Sequence, residues 1–105
     1  MEKKVLGGIE ILVDEDGFIQ EPEKWNKEMA EDLAKEEAAS PMSEDAWKLV
    51  NFLRDYYLEY EIAPPIRVVV KKTGFALNYI YEMFPKGPAA GACKVAGLPK
   101  PTGCL

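Results

Sequence analysis

The chain has 105 residues, which is enough for one domain with a modest core and too few for a catalytic cavity enclosed between subdomains. Hydrophobic residues make up 48% and charged residues 30%, a composition that is ordinary for a soluble globular protein and argues against disorder. Histidine is absent, so a nucleophile of the Cys-His type is excluded and the commonest metal ligand is missing.

The net charge of -5 is unevenly distributed along the chain. Residues 1–61 carry 17 acidic and 7 basic side chains, whereas residues 62–105 carry 1 acidic and 6 basic side chains. One interpretation is a solvated acidic helical surface and nothing more. The other is a mildly basic carboxyl-terminal half that faces an anionic partner or a small oxyanion.

The first 20 residues predict a small antiparallel meander of short strands. Apolar runs at residues 5–6, 9–13 and 18–19 are separated by Gly7-Gly8 and by a turn segment that ends in Asp16-Gly17. Asp-Gly between apolar runs is a strong hairpin signal, because glycine accepts the positive φ that a tight turn requires.

Two longer helices are predicted next. Trp25, Met29 and Leu33 recur at helical spacing and indicate a first helix that begins after Pro22 and stops by residue 40. Ser43 is a good N-cap for a second helix, which we expect to be central. The apolar stripe of that second helix consists of Ala46, Leu49, Val50, Leu53 and Tyr57.

Three shorter helices follow in the prediction. The third covers residue 66 to about residue 72 and ends at Gly74, and the fourth is stopped by Pro85 after an apolar pattern at residues 77–84. Pro88 begins a fifth helix that runs through Cys93 and ends near Gly97. The fold class is therefore α+β, with a small amino-terminal meander packed on about five helices.

The last nine residues are predicted to be a mobile arm. Two prolines and a glycine prevent residues 98–105 from continuing a helix, and little apolar surface is available to hold them down. We therefore divide the chain into a globular domain, residues 1–96, and an arm, residues 97–105. No apolar run approaches the roughly 20 residues that span a bilayer, and the amino terminus lacks the apolar stretch of a signal peptide, which predicts a cytoplasmic protein without membrane insertion.

Both cysteines of the chain, Cys93 and Cys104, fall in the last 13 residues and are separated by ten residues. An extended arm reaches roughly 30 Å, and the same segment folded back can bring the two Cα atoms within the roughly 4.4 to 6.8 Å of a disulfide. Cys104 suits a carrier thiol, with Lys100 nearby to favour thiolate, and Cys93 suits a resolving thiol in the globule, where Lys94 offsets the helix dipole. The alternative is that Cys93 is a small core residue and Cys104 an incidental tail residue.

The segment from Phe84 to Leu105, FPKGPAAGACKVAGLPKPTGCL, closely resembles the carboxyl terminus of the DsrC family, the gamma subunit of dissimilatory sulfite reductase. A penultimate cysteine, a second cysteine before a ten-residue gap and GLPKPTG between them form the most specific part. The resemblance also covers DEDGF (14–18), Trp25, Trp47, LRDYY (53–57), APPIR (63–67) and YIYEMFP (79–85).

The resemblance implies a carrier that docks its arm into dissimilatory sulfite reductase, receives sulfur on Cys104 and forms a trisulfide with Cys93. A membrane-bound reductase then regenerates both thiols. Arg67 and Lys94 match basic family positions near the arm and, with Lys100, are the expected contacts for an anionic sulfur species. No cofactor or metal is expected, the free protein is expected to be a monomer, and the chain is expected to act as a co-substrate for another enzyme. TusE-type proteins, which relay persulfide sulfur toward tRNA thiolation, share the fold and typically keep only the penultimate cysteine.

Two other classes of function remain open. Helices at residues 65–72 and 75–84, joined at Gly74, also look like a helix-turn-helix, in which Arg67, Lys71 and Lys72 would meet phosphates. Against nucleic acid as a partner, the second helix has no Arg or Lys, bears Glu82, and its apolar residues are typical of a core. The other class is a purely structural subunit whose arm is a docking peptide.

Overall fold

The computed structural model describes residues 2–37, 39 and 41–99. Cys104 and Lys100, with the greater part of the predicted arm, lie outside the described residues. Within the described part of the chain, two antiparallel strands are followed by five helices, which confirms the predicted α+β class. None of the helices in that part is long and apolar enough to cross a membrane.

The two strands form a hairpin at the amino terminus. Strand β1 (Glu2–Leu6) pairs with β2 (Ile9–Val13), and Leu6 lies opposite Ile9 across a turn of two glycines with positive φ. The third predicted strand is reduced to a single bridge between Val13 and Ile19. The predicted meander therefore has two full strands and a third segment that pairs with β2 only around this bridge, where the amides of Asp14 and Gln20 donate to the carbonyls of Phe18 and Leu12.

The first two helices begin at side-chain caps. Asn26 accepts a hydrogen bond from the Met29 amide at the start of α1 (Lys27–Glu36), and Ser43 accepts one from the Ala46 amide at the start of α2 (Glu44–Tyr60). The second cap was predicted, whereas α1 begins later than expected. Trp25 lies between a 3₁₀ turn (Pro22–Lys24) and α1, so it is not part of the helix.

Helices α3 (Ile66–Thr73) and α4 (Leu77–Met83) are joined through Gly74, which has a φ of 77°. Their boundaries agree with the predicted pair. Of the apolar residues of α4 that were expected in the core, Ile80 is fully buried, whereas Tyr81 is 49% exposed; Leu77, at the start of the same apolar pattern, is 43% exposed. The seven-residue helix is too short to bury a full stripe, and the Tyr81 ring lies beside Gly87 instead of entering the core.

The carboxyl-terminal helix, α5, spans Pro88–Cys93 and is π-helical. Proline at its entrance and Gly97 with a φ of 74° beyond its end agree with the prediction. Helix α2 is central as expected, because it contacts both α3 and α5, while α1 packs on β1. The core gathers residues from both strands and all five helices, including Leu6, Ile11, Met29, Leu33, Leu49, Leu53, Val69, Ile80, Phe84 and Cys93.

The candidate functional site at the carboxyl-terminal helix

The thiol of Cys93 lies in the core at the end of α5. The residue has no solvent exposure, and its neighbours in sequence Ala92, Val95 and Ala96 are equally buried. Burial raises the pKa of the Cys93 thiol to about 12, because removing the thiolate from water disfavours the charged form. In this conformation Cys93 is a protonated, shielded thiol, which cannot act as a nucleophile until water and reagents reach it.

Lys94, the residue after Cys93, is committed to an ion pair. Its Nζ lies 2.5 Å from Oε1 of Glu37, a carboxylate that is 98% shielded from solvent at the end of α1, and its side chain is only 12% exposed. Lys86 contacts the other oxygen of Glu37, with its Nζ 2.9 Å from Oε2. Burial by itself would raise the pKa of the Glu37 carboxyl, but the hydrogen bonds from Lys94 and Lys86 outweigh it and leave that pKa below its usual value.

The ion pair gives Lys94 a positional role in the described conformation. It ties the end of α5 to the end of α1, and the shift in the pKa of Cys93 arises from burial alone. The expected help of Lys94 in forming the Cys93 thiolate is therefore not present here. Its predicted contact with a sulfur anion stays a prediction that requires Lys94 to leave Glu37.

The segment after α5 is held by two side chains from elsewhere in the fold. The Trp25 Nε1 donates a hydrogen bond of 2.9 Å to the Val95 carbonyl, and Arg54 Nη1 donates one of 2.8 Å to the Ala96 carbonyl. The Arg54 guanidinium also lies 4.2 Å from the centroid of the Trp25 ring and donates through Nη2 to the Pro22 carbonyl. We call Trp25 and Arg54 the carbonyl clamp, since they satisfy two carbonyls that a helix leaves without partners at its end.

Residues 95–98, the arm root, pack closely against this clamp. A methyl group on Gly97 would overlap Cδ1 of Trp25 and lie 2.6 Å from Cγ, so only glycine fits against the ring. Leu98 is fully buried, and its amide donates to the Cys93 carbonyl at 3.1 Å. The described chain thus stays attached to the core through Leu98, and the mobility predicted for residues 97–105 stays a prediction for the part beyond it.

Arg67 lies exposed in the first turn of α3. Among the described residues, the hydrogen bonds and ion pairs around α5 do not include Arg67, and Lys94 is paired with Glu37. The helix pair offers little for nucleic acid either: α4 carries no basic residue, and Tyr79 donates a hydrogen bond of 2.6 Å to Asp45 of α2. The described residues contain no group of three potential ligands able to hold a metal ion.

Sequence reasoning did not assign a function to Trp25, Arg54 or Glu37. Trp25 and the segment containing Arg54 belong to the motifs that carry the family resemblance, and this was the only signal available. Glu37 lies in a run of acidic and alanine residues that is typical of an exposed helix, and nothing in that run indicates burial against two lysines.

The chain is similar over almost its whole length to proteins of one family. A family model described as DsrC like protein matches residues 5–105. The chain is 50% identical, over the full length of both, to the protein named sulfite reductase, dissimilatory-type subunit gamma, of Nitratidesulfovibrio vulgaris (strain Hildenborough). It is 39% identical to the sulfurtransferase TusE of Escherichia coli (strain K12), with 96% of this chain and 98% of that protein covered.

Solved structures extend this agreement to the fold. The oxidized gamma-subunit of the dissimilatory sulfite reductase (DsrC) from Archaeoglobus fulgidus superposes with a TM-score of 0.87 at 45% identity, covering 99% of this chain and 100% of that one. Sequence, family model and fold thus confirm the resemblance that the carboxyl-terminal motif indicated. The chain belongs to the DsrC family.

Proposed function

We propose that this protein is a sulfur carrier of dissimilatory sulfur metabolism, which accepts sulfur from dissimilatory sulfite reductase on Cys104 and resolves it with Cys93. The relative that is 50% identical over its whole length is named as the gamma subunit of that reductase. The observation that carries the proposal is the position of Cys93, whose thiol is anchored and shielded in the core, while ten residues of sequence separate it from the second thiol, Cys104.

The two thiols allow two balanced routes. Zero-valent sulfur converts the Cys104 thiol to a persulfide, and attack of the Cys93 thiolate on the inner sulfur forms a disulfide and releases hydrosulfide. In the second route the sulfur is two electrons more oxidised and bears two hydroxyl groups, as in S(OH)2. It condenses with both thiols, which releases two water molecules and leaves a trisulfide. Both products then need an external reductant: two electrons and two protons for the disulfide, and four of each for the trisulfide, which also yields hydrogen sulfide.

The partners follow from this chemistry. Dissimilatory sulfite reductase supplies the sulfur, and we propose a membrane-bound reductase as the electron source, with the carrier itself a monomer in the cytoplasm, where thiols stay reduced between cycles. Arg67, Lys94 and Lys100 remain the proposed contacts for anionic sulfur. Of these, Lys94 has to exchange its pairing with Glu37 for such a role.

A persulfide relay of the TusE type is the second candidate, because the similarity to TusE covers nearly the whole chain. The two functions differ in their need for Cys93. A relay requires only the thiol that carries the persulfide, whereas the carrier of a trisulfide or disulfide requires both.

A reconstituted sulfite reductase assay separates these functions. The chain is added as the wild type, Cys104→Ser, Cys93→Ser or the control Thr102→Ser, and sulfane sulfur bound to the protein is measured by its reaction with cyanide. We expect no bound sulfur on Cys104→Ser, persulfide without an intramolecular bond on Cys93→Ser, and wild-type behaviour for the control. Undiminished turnover of the reductase with Cys104→Ser would contradict the proposal and favour a docking peptide, and full function of Cys93→Ser would favour the relay.

A further inference from the structure

Cys93 cannot take part in thiol exchange in the conformation described. An exchange requires the attacking sulfur to approach the sulfur on Cys104 to bonding distance, and the Cys93 side chain has no exposed surface. The exchange that the proposed function assigns to this thiol therefore needs a local opening of the structure around the end of α5.

The segment that follows Cys93 and is hydrogen-bonded to the same helix turn is the arm root. The Ala96 amide donates to the Ala92 carbonyl, and the Leu98 amide donates to the Cys93 carbonyl, so residues 95–98 lie directly on the last turn of α5. Val95, Ala96 and Leu98 are themselves fully buried. Lifting this segment from the core is therefore the local opening by which we expect Cys93 to become exposed.

The carbonyl clamp resists that opening. Trp25 and Arg54 hold the carbonyls of Val95 and Ala96, and the Arg54 guanidinium is fixed from two further sides by the Trp25 ring and the Pro22 carbonyl. Arg54 is part-buried, which partly shields its hydrogen bonds from competing water, and burial lowers the pKa of its guanidinium. These bonds are broken when the arm root lifts and are restored when it returns.

We propose that Trp25 and Arg54 are positioning residues for the thiol exchange, which set how often Cys93 becomes reactive by holding the arm root closed. The inference rests on the proposed function for its biological use, but the control of Cys93 by the clamp is a property of this chain alone. Because hydrogen bonds from a charged donor stabilise the closed arm root, loss of Arg54 should raise the population of molecules with a lifted arm root about tenfold to a hundredfold.

Alkylation of Cys93 in a Cys104→Ser background measures the opening directly. We expect iodoacetamide to react about tenfold to a hundredfold faster with Arg54→Met than with the parent protein. Arg54→Lys, which keeps the charge without the planar two-armed donor, is expected to fall between them. Trp25→Phe removes the Nε1 donor and part of the ring but keeps an aromatic side chain, so a severalfold increase is expected. It serves as the milder variant if Arg54→Met does not fold.

A matched control distinguishes local opening from global unfolding. Val13→Ala removes buried methyl groups from β2, which takes no part in the described hydrogen bonds of the clamp, and lowers the free energy of unfolding. If the clamp acts as proposed, Arg54→Met reacts much faster than Val13→Ala at equal free energy of unfolding, and its rate is insensitive to low concentrations of urea. If the reaction rate follows the free energy of unfolding in both variants alike, the inference is overturned.

The exchange itself is tested in the protein with both cysteines. Glutathione disulfide first forms a mixed disulfide with Cys104, and Cys93 then attacks it, forming the Cys93–Cys104 disulfide and releasing glutathione. Release is expected to accelerate in Arg54→Met by the same factor as the alkylation. If glutathione is released at the wild-type rate in both Arg54→Met and Trp25→Phe, the inference is overturned. If the wild-type protein never receives sulfur from the reductase, only the proposed function is overturned.

Discussion

The packing of Gly97 on Trp25 gives a prediction with an internal control. Gly97 and Gly74 have nearly the same positive φ, 74° and 77°, so replacement by alanine imposes the same backbone cost at both positions. They differ in surroundings. A methyl group on Gly74 would meet nothing within 4 Å, whereas one on Gly97 would overlap the Trp25 ring.

The magnitudes follow from these two contributions. The left-handed conformation costs about 1 kcal/mol for alanine, so Gly74→Ala is expected to lower the free energy of unfolding by about that amount. Gly97→Ala adds the overpacking of a rigid ring, about 2 kcal/mol, for a total near 3 kcal/mol. At about 5 °C per kcal/mol for a domain of this size, the two melting temperatures should differ by about 10 °C.

Urea unfolding followed by circular dichroism measures both variants on the same scale. Gly97→Ala should also change the fluorescence of Trp25, compared in a Trp47→Phe background, and Gly74→Ala should not. Equal destabilisation by the two substitutions would refute the reasoning, because it would mean that the arm root is not held against the Trp25 ring.

Three further predictions concern ionisable groups. The pKa of Glu37 is lowered in the fold, so its carboxylate stabilises the folded state fully above the ordinary value of 4.5, and this stabilisation is lost as the pH falls through the lower folded value. Glu37→Gln should lower the free energy of unfolding by about 3 kcal/mol at neutral pH and should flatten the acid side of the plot of stability against pH. An acid side that Glu37→Gln leaves unchanged would contradict this. In Cys104→Ser, the rate of Cys93 alkylation should keep rising tenfold per pH unit beyond pH 9.0, the ordinary pKa of a thiol, because burial raises the pKa of Cys93 to about 12. A rate that levels off near pH 9.0 would contradict the burial of this thiol. The hydrogen bond to Asp45 and burial raise the pKa of Tyr79, so a spectroscopic titration that compares the wild type with Tyr79→Phe should assign it a late ionisation, which Asp45→Asn should make earlier.

Local sequence signals predicted most of the fold. Ser43 predicts the start of α2 because its hydroxyl caps an amide three residues on, and Gly74 and Gly97 predict helix ends because they adopt positive φ. The failures have a common physical cause. Trp25 has the spacing of a helical residue, but its indole is used by the Val95 carbonyl 70 residues away, and a periodic pattern contains no information on such a contact.

The sequence predicted the location of Cys93 in the candidate site better than the burial and the ion pairs found there. The sequence placed Cys93 on a helix in the globule, and the structure confirms this. The degree of burial and the pairing of Lys94 with Glu37 depend on how α1, α5 and the α4–α5 connection meet, which composition and spacing do not specify. The roles of Arg54 and Glu37 likewise come from contacts distant in sequence.

The central claim, that sulfur travels on Cys104, is tested most directly by peptide mapping of the protein taken from cells without reductant. Trypsin cuts after Lys86 and Lys94, so the two cysteines fall into separate peptides, residues 87–94 and 95–105. We predict that peptide 95–105 carries about 32 Da of added sulfur, or is joined to peptide 87–94 through a bond that contains it. If both peptides are recovered only as free thiols while sulfite is being reduced, the account is contradicted.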